Sequence, residues 1–305
     1  MKPREKAGSE MRGSRVAVIG ANGQLGTDLV KALDGWDLVP LTLADIEICD
    51  FVHTRQVLER IKPDFVINTA AFVRVDDCEE EVGQAFSVNA FAARNLAQIC
   101  ADLDCTLVHI STDYVFDGQK REPYTEEDLP NPINVYGASK LAGEHFVRAI
   151  CPKHLIVRTS GLYGKAGSSG KGGNFVETMI RLAQEGKPIR VVDDQVFSPT
   201  YARDLAVLIE EAVQKKTCGL HHFANSGQCT WYEFARKAFE LVGLDPELTA
   251  TTAREFGAKA RRPTYSVLSS STRHRSLPVA RPWEQALAAY LLETGRTLVK
   301  ARPDG

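Results

Sequence analysis

No stretch of this 305-residue sequence approaches the ~20 apolar residues that a bilayer-spanning helix needs, which excludes a transmembrane reading. An excess of charge is missing too. Lys and Arg number 37 against 39 Asp and Glu, so no global basic field draws the chain to nucleic acid or to anionic lipid. None of the seven cysteines forms a C-x-x-C pair, and an odd count suits a reduced compartment better than a disulfide framework. His221 and His222 lie near Cys218 and Cys229, but neighbours on a strand point to opposite faces, so no metal site is expected. Residues 1–13 carry mixed charge without the apolar centre of a secretory signal. A disordered leader on a cytoplasmic protein is the expectation.

What the chain does have is alternation. Val16-Ala17-Val18-Ile19 is a short apolar run that ends at Gly20, and helical periodicity follows from Leu25 to Leu33. Strand-like segments then recur at 37–43, 65–67, 107–110 and 155–157. Between them lie helical patterns at 54–61, 82–102 and 136–149. This order predicts an α/β fold, a Rossmann-like doubly wound parallel sheet with helices on both faces and a smaller C-terminal substrate lobe. The dinucleotide-binding domain is placed at 14–160 plus about 196–215, and the lobe at 161–195 and 216–300. Later helices are expected at 175–185, 230–242 and 283–294, with Trp231 and Trp283 in the core. A glycine-rich surface loop runs from Gly161 to Asn174 and reads equally as a lid or a tolerated insertion.

In such sheets, ligands sit beyond the carboxyl ends of the strands, and the chemically suggestive residues fall there. Gly20-Ala21-Asn22-Gly23-Gln24-Leu25-Gly26 is a G-x-x-G-x-x-G loop between a strand and a helix. Its glycines let backbone approach a pyrophosphate, which the helix N-terminus stabilises. Asp45, Glu47 and Asp50 are candidates for the ribose, and no Arg or Lys occurs between Lys31 and Arg55. A 2′-phosphate would want a cation there, so this segment leans toward NADH. Tyr136 and Lys140 lie one helical turn apart. A neighbouring ammonium is expected to lower the phenol's pKa from about 10, making Tyr136 a general acid toward a carbonyl oxygen.

Taken in order, the motifs resemble the dTDP-4-dehydrorhamnose reductase family of extended short-chain dehydrogenases over nearly the whole chain. The matching residues are Gly20 to Gly26, Asn68-Thr69-Ala70-Ala71, Val75-Asp76, Ser111 to Gly118 and Val135 to Glu144. They continue through Arg158-Thr159-Ser160, Asn174-Phe175, Asp194-Gln195, Ser198-Pro199-Thr200 and Arg262-Pro263. The resemblance implies that Tyr136 donates the proton, that Lys140 assists it and holds the nicotinamide ribose, and that Thr112 bonds the substrate ketone. It places Asp113, Asn174 and Arg262 at the substrate, Arg262 on its diphosphate. Gly20, Gly23, Gln24, Leu25 and Gly26 would bind the cofactor pyrophosphate, Asp50 and Phe51 the adenine ribose, and Ala70, Ala71 and Phe72 the path to the nicotinamide. Asn89 would support the lysine. The family commonly prefers NADPH, against the NADH lean above, so NADPH or NADH stays open. The implied partner is a nucleotide-sugar substrate, with a homodimer left open.

Four residues depart from the family pattern. Gly161 stands where a substrate-contacting Trp is usual, Phe72-Val73 replace Tyr-Thr, and Phe197 replaces a common Gly. Two other activities therefore stay in view: a nucleotide-sugar epimerase, and a non-catalytic dinucleotide-binding subunit resembling the regulatory subunit of methionine adenosyltransferase. A sugar 4,6-dehydratase is disfavoured, because Tyr114 follows Asp113 where that chemistry needs a carboxylate pair.

Overall fold

Apolar runs bounded by turns become strands here, and each is carried to the next by a helix. The computed structural model describes residues 13–166, 173–269 and 279–299. The expected leader, apart from its last residue, and residues 167–172 of the glycine-rich loop lie outside them. The chain begins β1 (Arg15–Ile19), α1 (Gln24–Ala32), β2 (Asp37–Leu41), α2 (Phe51–Ile61) and β3 (Phe65–Asn68). Next come α3 (Val75–Glu80), α4 (Val82–Phe86), a π turn (Ser87–Phe91), α5 (Ala92–Asp102), β4 (Thr106–Thr112), α6 (Val135–Ile150) and β5 (His154–Thr159). Helix α2 starts three residues before the expected Thr54, because the Asp50 carboxylate caps it by accepting the His53 amide at 2.9 Å.

The second half runs β6 (Leu162–Tyr163), α7 (Phe175–Gln184), β7 (Ile189–Val192), β8 (Val196–Phe197), β9 (Thr200–Tyr201) and α8 (Ala202–Gln214). It continues β10 (Gly219–His222), β11 (Cys229–Thr230), α9 (Trp231–Val242), β12 (Leu248–Thr251), α10 (Ala253–Phe256) and α11 (Trp283–Glu293). The main sheet is ordered β10-β5-β4-β3-β1-β2, every pair parallel. Helices α1 and α8 cover one face through Leu25, Leu29, Leu205 and Ile209. The other face is covered by α2, α5 and α6 through Leu58, Leu96, Ile99 and Val147. Burial on both faces explains why β3 reads as an unbroken apolar run rather than an alternating one. The smaller lobe has an aromatic core that includes Tyr163, Phe197, Phe234, Trp283 and Tyr290. No helix among the described residues is long and apolar enough to cross a membrane.

Two expectations are corrected. Segment 219–222, assigned to the lobe, is a sheet strand in register with β5 from Gly219 opposite Leu155 to His222 opposite Arg158. Four residues with two histidines carry too little pattern to announce a strand, and the open edge of β5 places them. The single helix expected at 82–102 is interrupted by the π turn. The widened turn holds Asn89 against α6, and Gly143 permits the approach, since a Cβ there would lie 2.3 Å from the Asn89 carbonyl oxygen.

Candidate functional site

Strand order reverses at β1, with β2 on one side and β3 on the other, and a cleft of about 890 Å³ opens at the carboxyl ends of these strands. Gly20 has φ +80°, and a Cβ there would meet Thr69 Oγ1 at 2.6 Å. A Cβ on Gly26 would lie 2.0 Å from the Gly20 carbonyl oxygen, so only glycine lets α1 start this close to β1. Gly26 is therefore a packing residue, whereas Gly20, Gly23, Gln24 and Leu25 line the cleft. Helix α1 has no side-chain cap at Gly23 and no acid in its first turn. Its N-terminal amides and positive dipole end suit an anion, and a dinucleotide pyrophosphate fits this cradle. Ala70, Ala71, Phe72 and Val73 form the facing wall.

At the adenosine end, the three candidate carboxylates separate. Asp50 is spent on capping α2, and Phe51 packs under the Arg55 guanidinium 5.2 Å from its ring centroid; neither lines the cleft. Asp45 folds back onto the Thr42 amide and hydroxyl, both at 2.8 Å. Glu47 does line it, beside Thr42, Leu43, Ile48 and Cys49. Of the residues expected at the adenosine end, the structure places Glu47 in the cleft lining and Asp50 and Phe51 outside it.

The reactive groups come from α6 and the end of β4. Asn134 caps α6 by accepting the Gly137 amide at 2.7 Å and donates to the Arg261 carbonyl at 2.8 Å, which fixes the first turn. Tyr136 and Lys140 both line the cleft. The Tyr136 phenol lies beside the Thr112 hydroxyl. Thr112 Oγ1 donates to Asp113 Oδ1 at 3.0 Å and accepts the Tyr114 amide at 3.2 Å. Asp113 Oδ2 in turn accepts Ser160 at 2.8 Å and Ser266 at 2.5 Å. Thr112 has one hydroxyl proton and gives it to Asp113. The expected bond from Thr112 to a ketone must displace this arrangement.

Burial dominates the electrostatics. It pushes the Asp113 carboxyl up to about 6, against the lowering effect of its three hydroxyl donors. It draws the Lys140 ammonium down to about 8, with Glu144 opposing. The Tyr136 phenol is pushed above its ordinary value, first by desolvation, with Thr112 lowering it and the Asp113 charge raising it. Desolvation of the phenolate, not Lys140, sets the direction, so the expected lowering does not occur. The Tyr136 phenol is therefore neutral at neutral pH.

Behind these groups lies a buried polar layer. Glu144 receives Arg158 through Nε at 2.9 Å and Nη2 at 2.6 Å, and Ser111 at 2.5 Å. Asn89 clamps the Phe72 backbone, accepting its amide at 2.9 Å and donating to its carbonyl at 3.0 Å, and reaches Ser139 at 3.0 Å. It acts on the cleft wall and on α6 rather than on the lysine head group alone.

A second cavity of about 300 Å³ adjoins the first, and Thr112, Asp113, Tyr136, Gly161, Leu162 and Trp231 line both. Gln195, Arg262 and Ser266 line its outer part. Arg262 grips Asp76 with two nitrogens at 3.2 and 2.8 Å, so its fork is already engaged. Asn174 borders the main cleft, but its amide caps α7 and donates to Gly164 and Tyr290, which makes it scaffold rather than a free substrate ligand. Trp231, expected in the core, faces both cavities. Ser266 was missed, and an isolated serine in a late irregular segment offers no signal that could have found it.

The RmlD substrate binding domain family model matches residues 14–295. The spore coat polysaccharide biosynthesis protein SpsK of Bacillus subtilis is 41% identical over 286 residues, covering 92% of this chain and 98% of its own. A dTDP-4-keto-6-deoxy-D-glucose reductase of Streptomyces niveus is 40% identical over 278 residues, 90% of this chain and 95% of its own. Among solved structures, a dTDP-4-dehydrorhamnose reductase from Bacillus anthracis in complex with NADP superposes with a TM-score of 0.88 at 41% identity, over 92% of this chain and 99% of that one.

Proposed function

Because the chain belongs to the RmlD family of dTDP-4-dehydrorhamnose reductases, we propose that it reduces the 4-keto group of a nucleotide-linked 6-deoxysugar with NADPH or NADH. The observation that carries this reading is the grouping of Tyr136, Thr112 and Asp113 at the junction of a dinucleotide-sized cleft and a second cavity. When bound, the reduced nicotinamide supplies the hydride that the carbonyl carbon takes up. Gly23, Gln24 and Leu25 would hold its pyrophosphate, Glu47 its adenine ribose, and Ala71 and Phe72 would flank its path.

The carbonyl oxygen, becoming an alkoxide, takes the phenolic proton of Tyr136. Thr112 would turn its hydroxyl proton from Asp113 to the substrate oxygen, while Ser160 and Ser266 keep Asp113 in place. Lys140 remains an ammonium below about pH 8 and stabilises the phenolate that proton transfer leaves. Leu162, Val73 and Trp231 narrow the junction and exclude water from it. Free thiols at all seven cysteines support a cytoplasmic placement.

The test is NADPH and NADH oxidation followed by absorbance with a panel of dTDP-4-keto-6-deoxysugars. Tyr136→Phe should lower kcat by about 10²–10⁴ while leaving cofactor affinity intact. Full activity in that variant, or no oxidation with any sugar, would overturn the reading. The same assay separates the two other activities kept in view. A regulatory subunit binds dinucleotide without turnover, and an epimerase changes the sugar without net consumption of reductant.

A further inference from the structure

We infer that Trp231 is the surface on which the sugar ring of the substrate lies, and that Phe197, seated in the space Gly161 leaves, sets the plane of that indole. The inference rests on the proposed activity and names how the same site recognises its sugar.

The junction of the two cavities is lined by unlike groups. Thr112, Asp113 and Tyr136 supply hydrogen-bonding groups, while Gly161, Leu162 and Trp231 supply non-polar ones. Trp231 is only part-buried and opens to both cavities. Its backbone is rigid, because it is the first residue of α9, whose cap is a reciprocal box. Thr230 Oγ1 accepts the Glu233 amide at 3.1 Å, and the Glu233 carboxylate accepts the Thr230 amide at 2.8 Å.

The ring is equally constrained. Phe197 stacks on it with centroids 3.9 Å apart and planes 20° from parallel, and Phe175 packs at 4.8 Å and 58°. Phe197 can reach that position only because residue 161 has no side chain. A Cβ there would lie 2.2 Å from Phe197 Cε2 and 2.4 Å from Cδ2, and the backbone at 161 has φ +52°. Gly161 therefore offers nothing to a sugar itself. Its emptiness is filled from β8, and the aromatic side chain that lines the junction comes from α9.

A pyranose presents a face of C–H bonds with slight positive character, which suits the negative face of an aromatic ring. The hydroxyls around the ring edge then point toward the polar groups of the junction. Trp is well suited to this: its large rigid surface loses little conformational entropy on binding.

The experiment is calorimetric titration of the full-length protein with dTDP-rhamnose and, separately, with dTDP. We expect Trp231→Ala and Trp231→Leu to weaken dTDP-rhamnose about tenfold while changing dTDP by less than twofold, and Trp231→Phe to stay within about threefold for both. Leucine keeps apolar bulk without a flat π face, so it also serves if the alanine variant folds poorly; circular dichroism reports the fold. Trp231→Leu binding dTDP-rhamnose like the wild type would overturn the inference. So would an equal loss toward dTDP, which would make Trp231 a packing residue of the lobe. Because binding is read without turnover, failure of the reductase assignment appears separately, as a wild type that binds dTDP-rhamnose yet oxidises no reductant.

Discussion

Replacing Glu144 by Gln probes the layer on which the reactive side chains rest. The Glu144 and Arg158 side chains are each 2% exposed, and the pair is bidentate, with Nε at 2.9 Å and Nη2 at 2.6 Å from the carboxylate oxygens. Ser111 adds a third donor at 2.5 Å. Glutamine keeps the shape but removes the charge and turns one acceptor into a donor that faces the guanidinium. Arginine cannot shed its proton to escape. Among the described residues its Nη1 already has no hydrogen-bond partner, although the group lies over the Phe116 ring at 5.1 Å. Removing one partner of such a pair costs about 3–5 kcal/mol, a large share of the ~5–15 kcal/mol that holds a domain folded.

Urea unfolding followed by far-ultraviolet circular dichroism should show a lower midpoint with an unchanged slope. A second effect should travel with it. Glu144 is the charge that supports the Lys140 ammonium, so its loss should move Lys140 below about 8 and pull the alkaline limb of kcat downward. A stability loss under about 1 kcal/mol, with an unmoved alkaline limb, would refute the reasoning on both counts.

Three further outcomes follow from the same geometry. Lys140, held near 8 against an ordinary 10.5, binds a proton in the unfolded chain across that window that the folded chain has released. Stability should therefore rise with pH from about 8 to 10.5, by about 3 kcal/mol at most, and Lys140→Met should flatten that slope in unfolding measured across pH. Asp113 runs the other way. Its carboxyl is raised from 3.8 to about 6, so its contribution to stability is present below 3.8 and lost as pH rises through about 6. Below about 6 it no longer accepts from Thr112 as a carboxylate, so activity should fall on the acid side with a midpoint near 6, and Asp113→Asn should remove that limb. In Gly143→Ala the new methyl would sit 2.3 Å from the Asn89 carbonyl oxygen, forcing α6 off the π turn. The expected loss is about 1–3 kcal/mol in thermal unfolding, with activity reduced through the Phe72 backbone that Asn89 holds; an unshifted melt would contradict the packing described.

The glycine loop, the alternation of strands and helices, and the Tyr136–Lys140 spacing were legible because each is a local pattern. A G-x-x-G-x-x-G turn or an i,i+4 pair means the same thing wherever the chain goes next. Asp50 shows the limit: its type and position suit a ribose ligand, but an N-cap and a ligand are the same residue in sequence. Only the position of α2 decides between them. Asn174 is a second instance, an amide at the cleft whose hydrogen bonds are all taken by the lobe.

The sequence by itself determined the first five strands of the sheet, the glycine cradle and the pairing of Tyr136 with Lys140 on one helical turn, because backbone preference and hydrophobic period are properties of short segments. Tertiary structure alone decided the rest. It set the sign of the Tyr136 shift, which follows from desolvation by residues far along the chain. It also brought Ser266 onto Asp113 across 153 positions, and let Phe197 occupy the space beside Gly161. Burial and contact depend on where distant segments end up, and no window of sequence contains that information.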